Sequence, residues 1–303
     1  MTGFSSSPSP PRLRRSLLSV PAINERALQK APTLDCDGVI FDLEDSVAPA
    51  RKAEAREMLQ RFFSETPLEG RERIIRINAL DAPEAQDDLE TVLALSPDAV
   101  LLPKVTGAGD VADLHAWLEA AGAPPSLRIW AMVETPRAVL EIGAIAAERA
   151  RNAGRLDALV IGLNDLRKET GVLPQPGRGF LVPWLMQVVL AARAYGLDAI
   201  DSVFNDFRDE TSFDAECGQG RAMGFDGKML IHPAQIAAAN TRFGPGEAEI
   251  AEAQSIVAAF AAPEAAGLGV IDIGGRMVER LHLEQAERLM HKARQISARK
   301  DDP

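Results

Sequence analysis

The chain alternates short apolar runs with longer amphipathic stretches about eight times. Each run is nearly continuous in Val, Ile, Leu, Ala or Met, which is typical of parallel strands buried on both faces. We predict strands at residues 16–20, 38–42, 73–77, 99–103, 128–133, 158–161, 199–203 and 226–231. The helical patterns between them cover residues 24–34, 50–63, 85–95, 111–121, 137–150, 182–195 and 211–223. Eight strand–helix units that end near residue 240 favour an α/β fold closed into a (β/α)8 TIM barrel over an open sheet.

The pattern changes at Phe243-Gly244-Pro245, where the chain loses its strand–helix alternation. A helix is predicted over residues 247–262, a glycine-rich β segment over 267–278, and a last helix from about 281 to 297. We therefore predict a barrel at residues 13–243 and a C-terminal extension of helices and a β-hairpin at 244–303. That extension has no ninth barrel strand to complete, so we expect it to contact its own barrel or a neighbouring subunit. Residues 1–12 are rich in Ser and Pro and are predicted to be a disordered leader.

Composition excludes several classes of protein. Hydrophobic residues make up 46% of the chain, which is enough for a large core that needs no disulfide or zinc. The two cysteines lack metal-ligand spacing, so we expect a reduced, cytoplasmic protein. No apolar run approaches about 18 residues, which excludes a membrane span. The net charge of −11 and the lack of a basic stripe exclude nucleic acid as a partner.

Charged side chains stand at the ends of five consecutive predicted strands, where the active residues of a barrel gather. Acids follow strands 2, 5 and 6 and cations follow strands 3 and 4, namely Asp42, Glu44, Asp45, Arg76, Lys104, Glu134 and Asp165. Converging carboxylates repel one another unless a cation neutralises them. Carboxylate oxygens suit Mg²⁺ or Mn²⁺, and Mg²⁺ commonly takes only one or two of them. The alternative for Asp45 and Asp165 is that each caps the helix after its strand.

Arg76 ends a strand that is otherwise Ile-rich, which is an unusual position for a purely structural arginine. Its planar fork suits a substrate carboxylate or carbonyl oxygen. A salt bridge from Arg76 to Glu44 or Asp45 is the structural alternative, and one arginine can serve both roles. His232 follows strand 8 and either lines the mouth of the barrel or bonds to nearby backbone. The sequence has no Ser-His-Asp order, no glycine-rich phosphate loop and no HExxH helix.

Several motifs in this order resemble the citrate lyase β-subunit family, within the HpcH/HpaI aldolase/citrate lyase superfamily. The motifs are Arg15-Ser16-Leu17-Leu18, DGVIFDLEDSVAP from residue 37, Arg76-Ile77-Asn78, Leu102-Pro103-Lys104-Val105, Glu134-Thr135-Pro136, Gly162–Asp165, and the stretch from Gly224 to Gln235. The resemblance covers residues 12 to 295, nearly the whole chain. Its relatives also include malyl-CoA and citramalyl-CoA lyases.

The resemblance implies a Mg²⁺-dependent carbon–carbon lyase, with Mn²⁺ as a possible substitute. Such an enzyme cleaves or forms a β-hydroxyacyl-CoA, such as citryl-, malyl- or citramalyl-CoA, to give an acyl-CoA and a 2-oxo acid. The family's metal ligands match Glu134 and Asp165, and its substrate-binding arginine matches Arg76. Glu44 and Asp45 match the acidic pair behind the metal site. The family also implies a homo-oligomer, a trimer or a hexamer.

Further contacts are implied less directly by the same resemblance. Arg15, Lys52 and Lys104 match positions expected to bind the substrate or its CoA moiety. Several relatives carry an aspartate after a Gly-Lys/Arg-Met-Ile/Val pattern and deliver it to a neighbouring subunit's site. This chain has Glu279 after Gly275-Arg276-Met277-Val278, and the longer glutamate serves either as the acid or only in a salt bridge. The substitution argues against a thioesterase or malate synthase and leaves lyase activity open.

Two alternatives stand beside the CoA lyase. Class II pyruvate-dependent aldolases share the barrel and metal site but usually carry a histidine near the strand 2 turn, where this chain has Glu44-Asp45. The other alternative is the β subunit of a multi-protein citrate lyase that acts on a carrier-protein thioester. An inactive assembly subunit belongs with it, although the presence of Arg76, Glu134 and Asp165 argues against inactivity. The acyl group is not specified by the sequence.

Overall fold

The computed structural model describes residues 12–151 and 154–301. In this part of the chain, eight parallel strands close into a barrel in sequence order, with β8 paired to β1. The strands are Ser16–Pro21 (β1), Gly38–Asp42 (β2), Glu72–Arg76 (β3), Ala99–Leu102 (β4), Arg128–Val133 (β5), Leu156–Ile161 (β6), Asp198–Asp201 (β7) and Gly227–Leu230 (β8). Each begins and ends within two residues of its predicted position, and the predicted (β/α)8 TIM barrel is confirmed.

Helices surround the barrel between the strands. They are Glu25–Lys30 (α1), Lys52–Glu65 (α2), Ala85–Leu95 (α3), Ala108–Ala120 (α4), Pro136–Leu140 (α5), Ile142–Arg151 (α6), Leu163–Thr170 (α7), Val182–Tyr195 (α8), Glu210–Met223 (α9) and Ile236–Phe243 (α10). The single helix predicted over 137–150 is wrong, because the backbone at Glu141 (φ −96°, ψ 8°) separates α5 from α6. Helices α7 and α10 were not predicted, since eight residues are too few to establish an amphipathic period.

Successive strand residues face alternately into the barrel and toward the helices. The interior cluster contains Leu17, Ile40, Ile74, Ala99, Leu101, Trp130, Met132, Ala158, Val160, Ile200 and Met229. Val39 and Phe41, on either side of Ile40, pack instead in the larger core between strands and helices. Both faces of the sheet are buried, as continuous apolar runs predict. Parallel pairing also brings the carboxyl ends of the strands to one edge, where Asp42 of β2 lies opposite Arg76 of β3.

The chain from Gly244 onward forms a second compact unit, separate from the barrel unit Arg14–Phe243. It consists of helix Glu247–Ala261 (α11), an antiparallel hairpin of Val270–Ile273 (β9) and Arg276–Glu279 (β10), and helix Arg280–Asp301 (α12). Its core is formed by Ala253, Ile256, Val278 and Ala286. Contact with a neighbouring subunit stays a prediction.

The sequence also led to expectations about the N-terminal leader, a membrane span, the cellular location and the oligomeric state. The leader predicted at residues 1–12 lies outside the described residues, apart from Arg12. None of the helices in the described ranges is long and apolar enough to cross a lipid bilayer. The expected cytoplasmic location and the expected trimer or hexamer stay predictions.

Candidate metal and substrate site

The carboxyl ends of β2, β4, β5 and β6 bring four acids together around one ammonium group. Lys104 Nζ lies 2.9 Å from Asp165 Oδ2 and 3.6 Å from Glu134 Oε1. The same nitrogen lies 3.6 Å from Asp45 Oδ2 and 3.7 Å from Glu44 Oε1. These residues are far apart in the sequence, so the barrel alone assembles the cluster. Lys104 was predicted as a substrate or CoA contact, and the structure instead places it among the predicted metal ligands.

Glu134 is the most deeply buried acid of the cluster, with no exposed surface. Its Oε1 accepts a hydrogen bond of 2.7 Å from the backbone N–H of Lys104. Its Oε2 is buried, and no donor among the described residues hydrogen-bonds to it. Burial raises the pKa of Glu134 to about 7, even though the Lys104 ammonium and backbone N–H oppose the shift. A buried carboxylate oxygen without a donor is a good ligand for a cation.

Gly162 is required beside Glu134 because there is no space for a side chain. A Cβ at this position would lie 2.6 Å from both Cβ and Oε2 of Glu134. Gly162 is also the N-cap of α7, so Asp165 lies in the first turn of that helix. The alternative role of Asp165 as a helix cap is therefore not what the structure shows.

Arg76 is held in place by Asp42. Its Nε and Nη2 donate hydrogen bonds of 2.7 and 2.6 Å to the two oxygens of Asp42, and its Nη1 lies 3.0 Å from Glu44 Oε2. The salt bridge to Glu44 that the sequence offered as an alternative is present, whereas Asp45 pairs with Lys104. The sequence placed Asp42 among the charged strand ends without a role of its own, and the structure shows that it positions Arg76.

The two neighbouring acids Glu44 and Asp45 lie in different environments. Glu44 is buried, and burial raises the pKa of its carboxyl; Arg76 opposes this shift and Asp45 reinforces it. Asp45 has a largely exposed side chain and does not cap a helix, since the N-cap of α2 is Arg51. A buried carboxyl with a raised pKa holds its proton more tightly than an exposed one does, which suits a group that transfers protons.

Lys52, which was predicted to lie near the CoA path, is engaged within the protein, and its contact with CoA stays a prediction. Lys52 is buried, and its Nζ donates hydrogen bonds of 2.7 Å to the carbonyl oxygens of Leu43 and Glu44 and to Asn78 Oδ1. An ammonium group has three protons, and these three acceptors account for all of them. Lys52 therefore positions the loop that carries Glu44.

Arg15, whose predicted contact with CoA also stays a prediction, precedes β1 and lies at the end of the barrel opposite the site. Its guanidinium donates two hydrogen bonds of 2.8 Å to Asp37, which precedes β2. Both residues are buried. This paired arginine joins the amino ends of two strands.

Glu279 and His232 are the remaining residues that the sequence singled out. Glu279 ends β10 in the second unit, where its backbone N–H donates to His282 Nδ1 at 2.9 Å. Its role as an acid in a neighbouring subunit's site stays a prediction. His232 Nδ1 accepts a hydrogen bond of 3.2 Å from the backbone N–H of Ala234, and its ring stacks on Phe207 with centroids 4.2 Å apart. These contacts fit the structural alternative for His232.

The residues present fit a divalent cation with few protein ligands. In the described ranges, no group of three or more His, Cys, Asp or Glu side chains is arranged to hold a metal. Mg²⁺ needs only one or two carboxylates, because water and substrate fill its other positions. Glu134, with its buried Oε2, and Asp165 both lie beside Lys104 Nζ and would provide two such ligands. The surrounding carboxylates also outnumber the two cations, Arg76 and Lys104, so the site favours added positive charge.

The fold and these residues define a (β/α)8 barrel enzyme with a carboxylate-rich site at the carboxyl ends of its strands. Residues 15–233 match the model of the HpcH/HpaI aldolase/citrate lyase family, and the chain belongs to that family of CoA-ester lyases. The predicted resemblance is confirmed.

The chain is similar to relatives along nearly its whole length. It is 44% identical to a (3S)-malyl-CoA thioesterase of Cereibacter sphaeroides, over 94% of this chain and 96% of the relative. It is 32% identical to the mitochondrial citramalyl-CoA lyase of Mus musculus, over 93% of this chain and 87% of the relative. The CitE protein of Mycobacterium tuberculosis, solved with magnesium, acetoacetate and coenzyme A, is 30% identical with a TM-score of 0.73, over 92% of this chain and 97% of that one.

Proposed function

We propose that the protein is a Mg²⁺-dependent lyase that cleaves a β-hydroxyacyl-CoA, malyl-CoA foremost, into an acyl-CoA and a 2-oxo acid. The observation that carries the proposal is the buried Glu134 Oε2, which lacks a hydrogen-bond donor and lies in a cluster with Asp165. The CitE structure with magnesium and coenzyme A supports the choice of cation and of thioester. The identity of 44% to a (3S)-malyl-CoA thioesterase, against 32% to the citrate lyase subunit beta of Escherichia coli, favours free CoA over a carrier protein.

The chemistry requires that one proton leave and another arrive. The substrate hydroxyl loses its proton, the adjacent carbon–carbon bond breaks, and its electrons move onto the thioester as an enolate. The hydroxyl carbon becomes the carbonyl of the 2-oxo acid, and the enolate carbon takes a proton to complete the acyl-CoA. Mg²⁺ held by Glu134 and Asp165 would supply positive charge that lowers the pKa of the substrate hydroxyl.

The protein's own groups stabilise charge and hold protons. Arg76 is fixed by Asp42 through Nε and Nη2, and its Nη1 contacts Glu44 Oε2 and Met132 Sδ, so Nη1 is the nitrogen that Asp42 leaves available to a substrate. A positioned guanidinium favours the negative charge that develops on the thioester oxygen. Glu44 lies next to Arg76 Nη1, and burial raises the pKa of its carboxyl, so it is the group best placed to accept and return a proton.

Hydrolysis of the thioester is a second candidate. It is favoured by the 44% identity to a (3S)-malyl-CoA thioesterase across 94% of this chain. This similarity weighs against the expectation, drawn from Glu279, that thioesterase activity is absent. Both reactions use the same substrate, so the products distinguish them.

The test is product analysis with citryl-, malyl- and citramalyl-CoA, with Mg²⁺ or with EDTA. We expect glyoxylate and acetyl-CoA from malyl-CoA in the presence of Mg²⁺, whereas malate and free CoA would identify a thioesterase. Glu134→Ala should lose activity by orders of magnitude, while Glu141→Ala, which changes an exposed glutamate after α5, should retain it. Cleavage that is equally fast in EDTA, or no cleavage of any of the three thioesters, contradicts the proposal.

A further inference from the structure

Lys104 occupies the centre of the acid cluster rather than its edge. Its ammonium nitrogen lies within 3.7 Å of oxygens from Glu44, Asp45, Glu134 and Asp165, and the shortest of the four distances is 2.9 Å. Arg76 Nη1 lies 3.0 Å from Glu44 Oε2, so four acids face two cations and the cluster keeps an excess of negative charge. A divalent cation between Glu134 and Asp165 would compete with the ammonium for the same oxygens.

The backbone at Lys104 holds this residue against the predicted metal ligand. Its φ of +52° lies in the left-handed region, which residues other than glycine seldom adopt. That conformation directs its N–H to Glu134 Oε1 at 2.7 Å. The start of the side chain is thus fixed beside Glu134, whereas four rotatable methylene groups separate it from the ammonium. The ammonium nitrogen is buried among the acids, but the side chain as a whole is 29% exposed, so its stem reaches the surface of the cluster.

We propose that Lys104 is a built-in counter-ion that holds the four carboxylates together in the metal-free protein and withdraws when a divalent cation binds. The inference rests on the metal site of the proposed function. Lys104 then determines how tightly the cation binds, because the site is competent for the metal only in the fraction of molecules whose ammonium has left. If only a fraction of the protein molecules can bind a ligand, the measured affinity is lower than the intrinsic affinity in proportion to that fraction.

The experiment measures binding of Mn²⁺ alone, from the free-ion signal in electron paramagnetic resonance, without substrate. The variants are Lys104→Met, which removes the charge, and Lys104→Gly, which also relieves the left-handed backbone. Lys104→Arg retains a cation, and Lys168→Met changes an exposed lysine on α7 as the matched control. We expect the Met and Gly variants to bind Mn²⁺ about tenfold more tightly than the wild type. This corresponds to a rise from about one tenth to all of the molecules in the fraction whose site is free of the ammonium. The Arg variant and the control should stay within about twofold of the wild type.

Thermal unfolding gives an independent readout that needs no activity. Without metal, the Met variant should unfold at a lower temperature than the wild type, because its carboxylates have lost their counter-ion. Added Mg²⁺ should raise the unfolding temperature more in the Met and Gly variants than in the wild type. If both variants bind Mn²⁺ no more tightly than the wild type, the proposed competition is wrong while the metal site stands. If folded wild type and folded variants all fail to bind Mn²⁺, the metal site and this inference are both overturned.

Discussion

The guanidinium of Arg76 donates two hydrogen bonds to the carboxylate of Asp42, from Nε at 2.7 Å and from Nη2 at 2.6 Å. The same carboxylate accepts backbone N–H groups of Glu44 at 2.9 Å and Ser46 at 3.1 Å. Asp42 therefore fixes both the arginine after β3 and the acidic loop after β2. The two proposed reactive groups, Arg76 and Glu44, take their positions from a residue that does not itself face the substrate.

Asp42→Asn should destabilise the fold and disorder Arg76. An amide accepts with only one of its two terminal atoms, so it cannot receive both guanidinium hydrogen bonds, and a buried arginine loses its counter-charge. We expect the free energy of unfolding to fall by about 3–5 kcal/mol, as measured by urea denaturation. Asp113→Asn, at an exposed position on α4, serves as the control. If Asp42→Asn has the same free energy of unfolding as the wild type, the Arg76–Asp42 pair does not contribute to stability.

Gly162→Ala should displace Glu134 without unfolding the barrel. The new Cβ would lie 2.6 Å from Glu134 Oε2, so the carboxylate must move away from the position in which it binds a cation. We expect Mn²⁺ binding to weaken by at least about tenfold, since a change to a residue that only positions a metal ligand commonly costs about 10–100-fold in affinity. The matched control is Gly143→Ala on α6, where nothing lies within 4 Å of the added Cβ. Equal Mn²⁺ affinity in both variants would contradict the assigned geometry.

The stability of the metal-free protein should depend on pH through Glu134. Burial raises the folded-state pKa of Glu134 to about 7 from 4.5, so the folded protein binds this proton more tightly than the unfolded chain does. The resulting stabilisation is complete below pH 4.5 and is lost as the pH rises through 7. Relative to Glu134→Gln, the wild type should lose about 3 kcal/mol of unfolding free energy across that range in EDTA. Parallel pH profiles for the two proteins would contradict the burial of a titrating carboxylate.

The same comparison tests the metal site above pH 7. Mg²⁺ that binds the ionised carboxylate should restore stability to the wild type and leave Glu134→Gln unchanged. Thermal unfolding at pH 8 with Mg²⁺ or EDTA measures this difference. An equal Mg²⁺ effect in both proteins would place the cation elsewhere.

Lys52→Met should loosen the acidic loop without altering recognition of CoA. Its three hydrogen bonds at 2.7 Å join the loop at Leu43 and Glu44 to Asn78. Because such bonds come from a charged group, we expect a loss of about 3 kcal/mol of unfolding free energy. The ratio of kcat/KM for malyl-CoA to that for malyl-pantetheine should match the wild type. A changed ratio would show that Lys52 contacts the nucleotide part of CoA, and Lys30→Met is the exposed control.

Strand positions were predictable because barrel strands are buried on both faces, so their sequences are continuous in apolar residues. The residue types at the strand ends were equally readable, and they identify the acids and cations of the site. The partners that each of these side chains contacts could not be predicted from the sequence. Arg15 and Lys52 match family positions in the sequence, yet ion pairing with Asp37 and bonding to the acidic loop engage them in the structure. A side chain satisfies its nearest buried partners, and sequence order does not reveal which partners those are.

The sequence by itself determined the barrel, the family and the presence of Arg76, Glu134 and Asp165 at the ends of strands β3, β5 and β6. Only the tertiary structure decided that Lys104 lies among the carboxylates, 2.9 Å from Asp165, and that Asp42 holds Arg76. It also decided that Glu134 loses contact with water, which raises its pKa. The physical reason is that charge interactions depend on distance and burial, and these are set by closure of the barrel rather than by spacing along the chain.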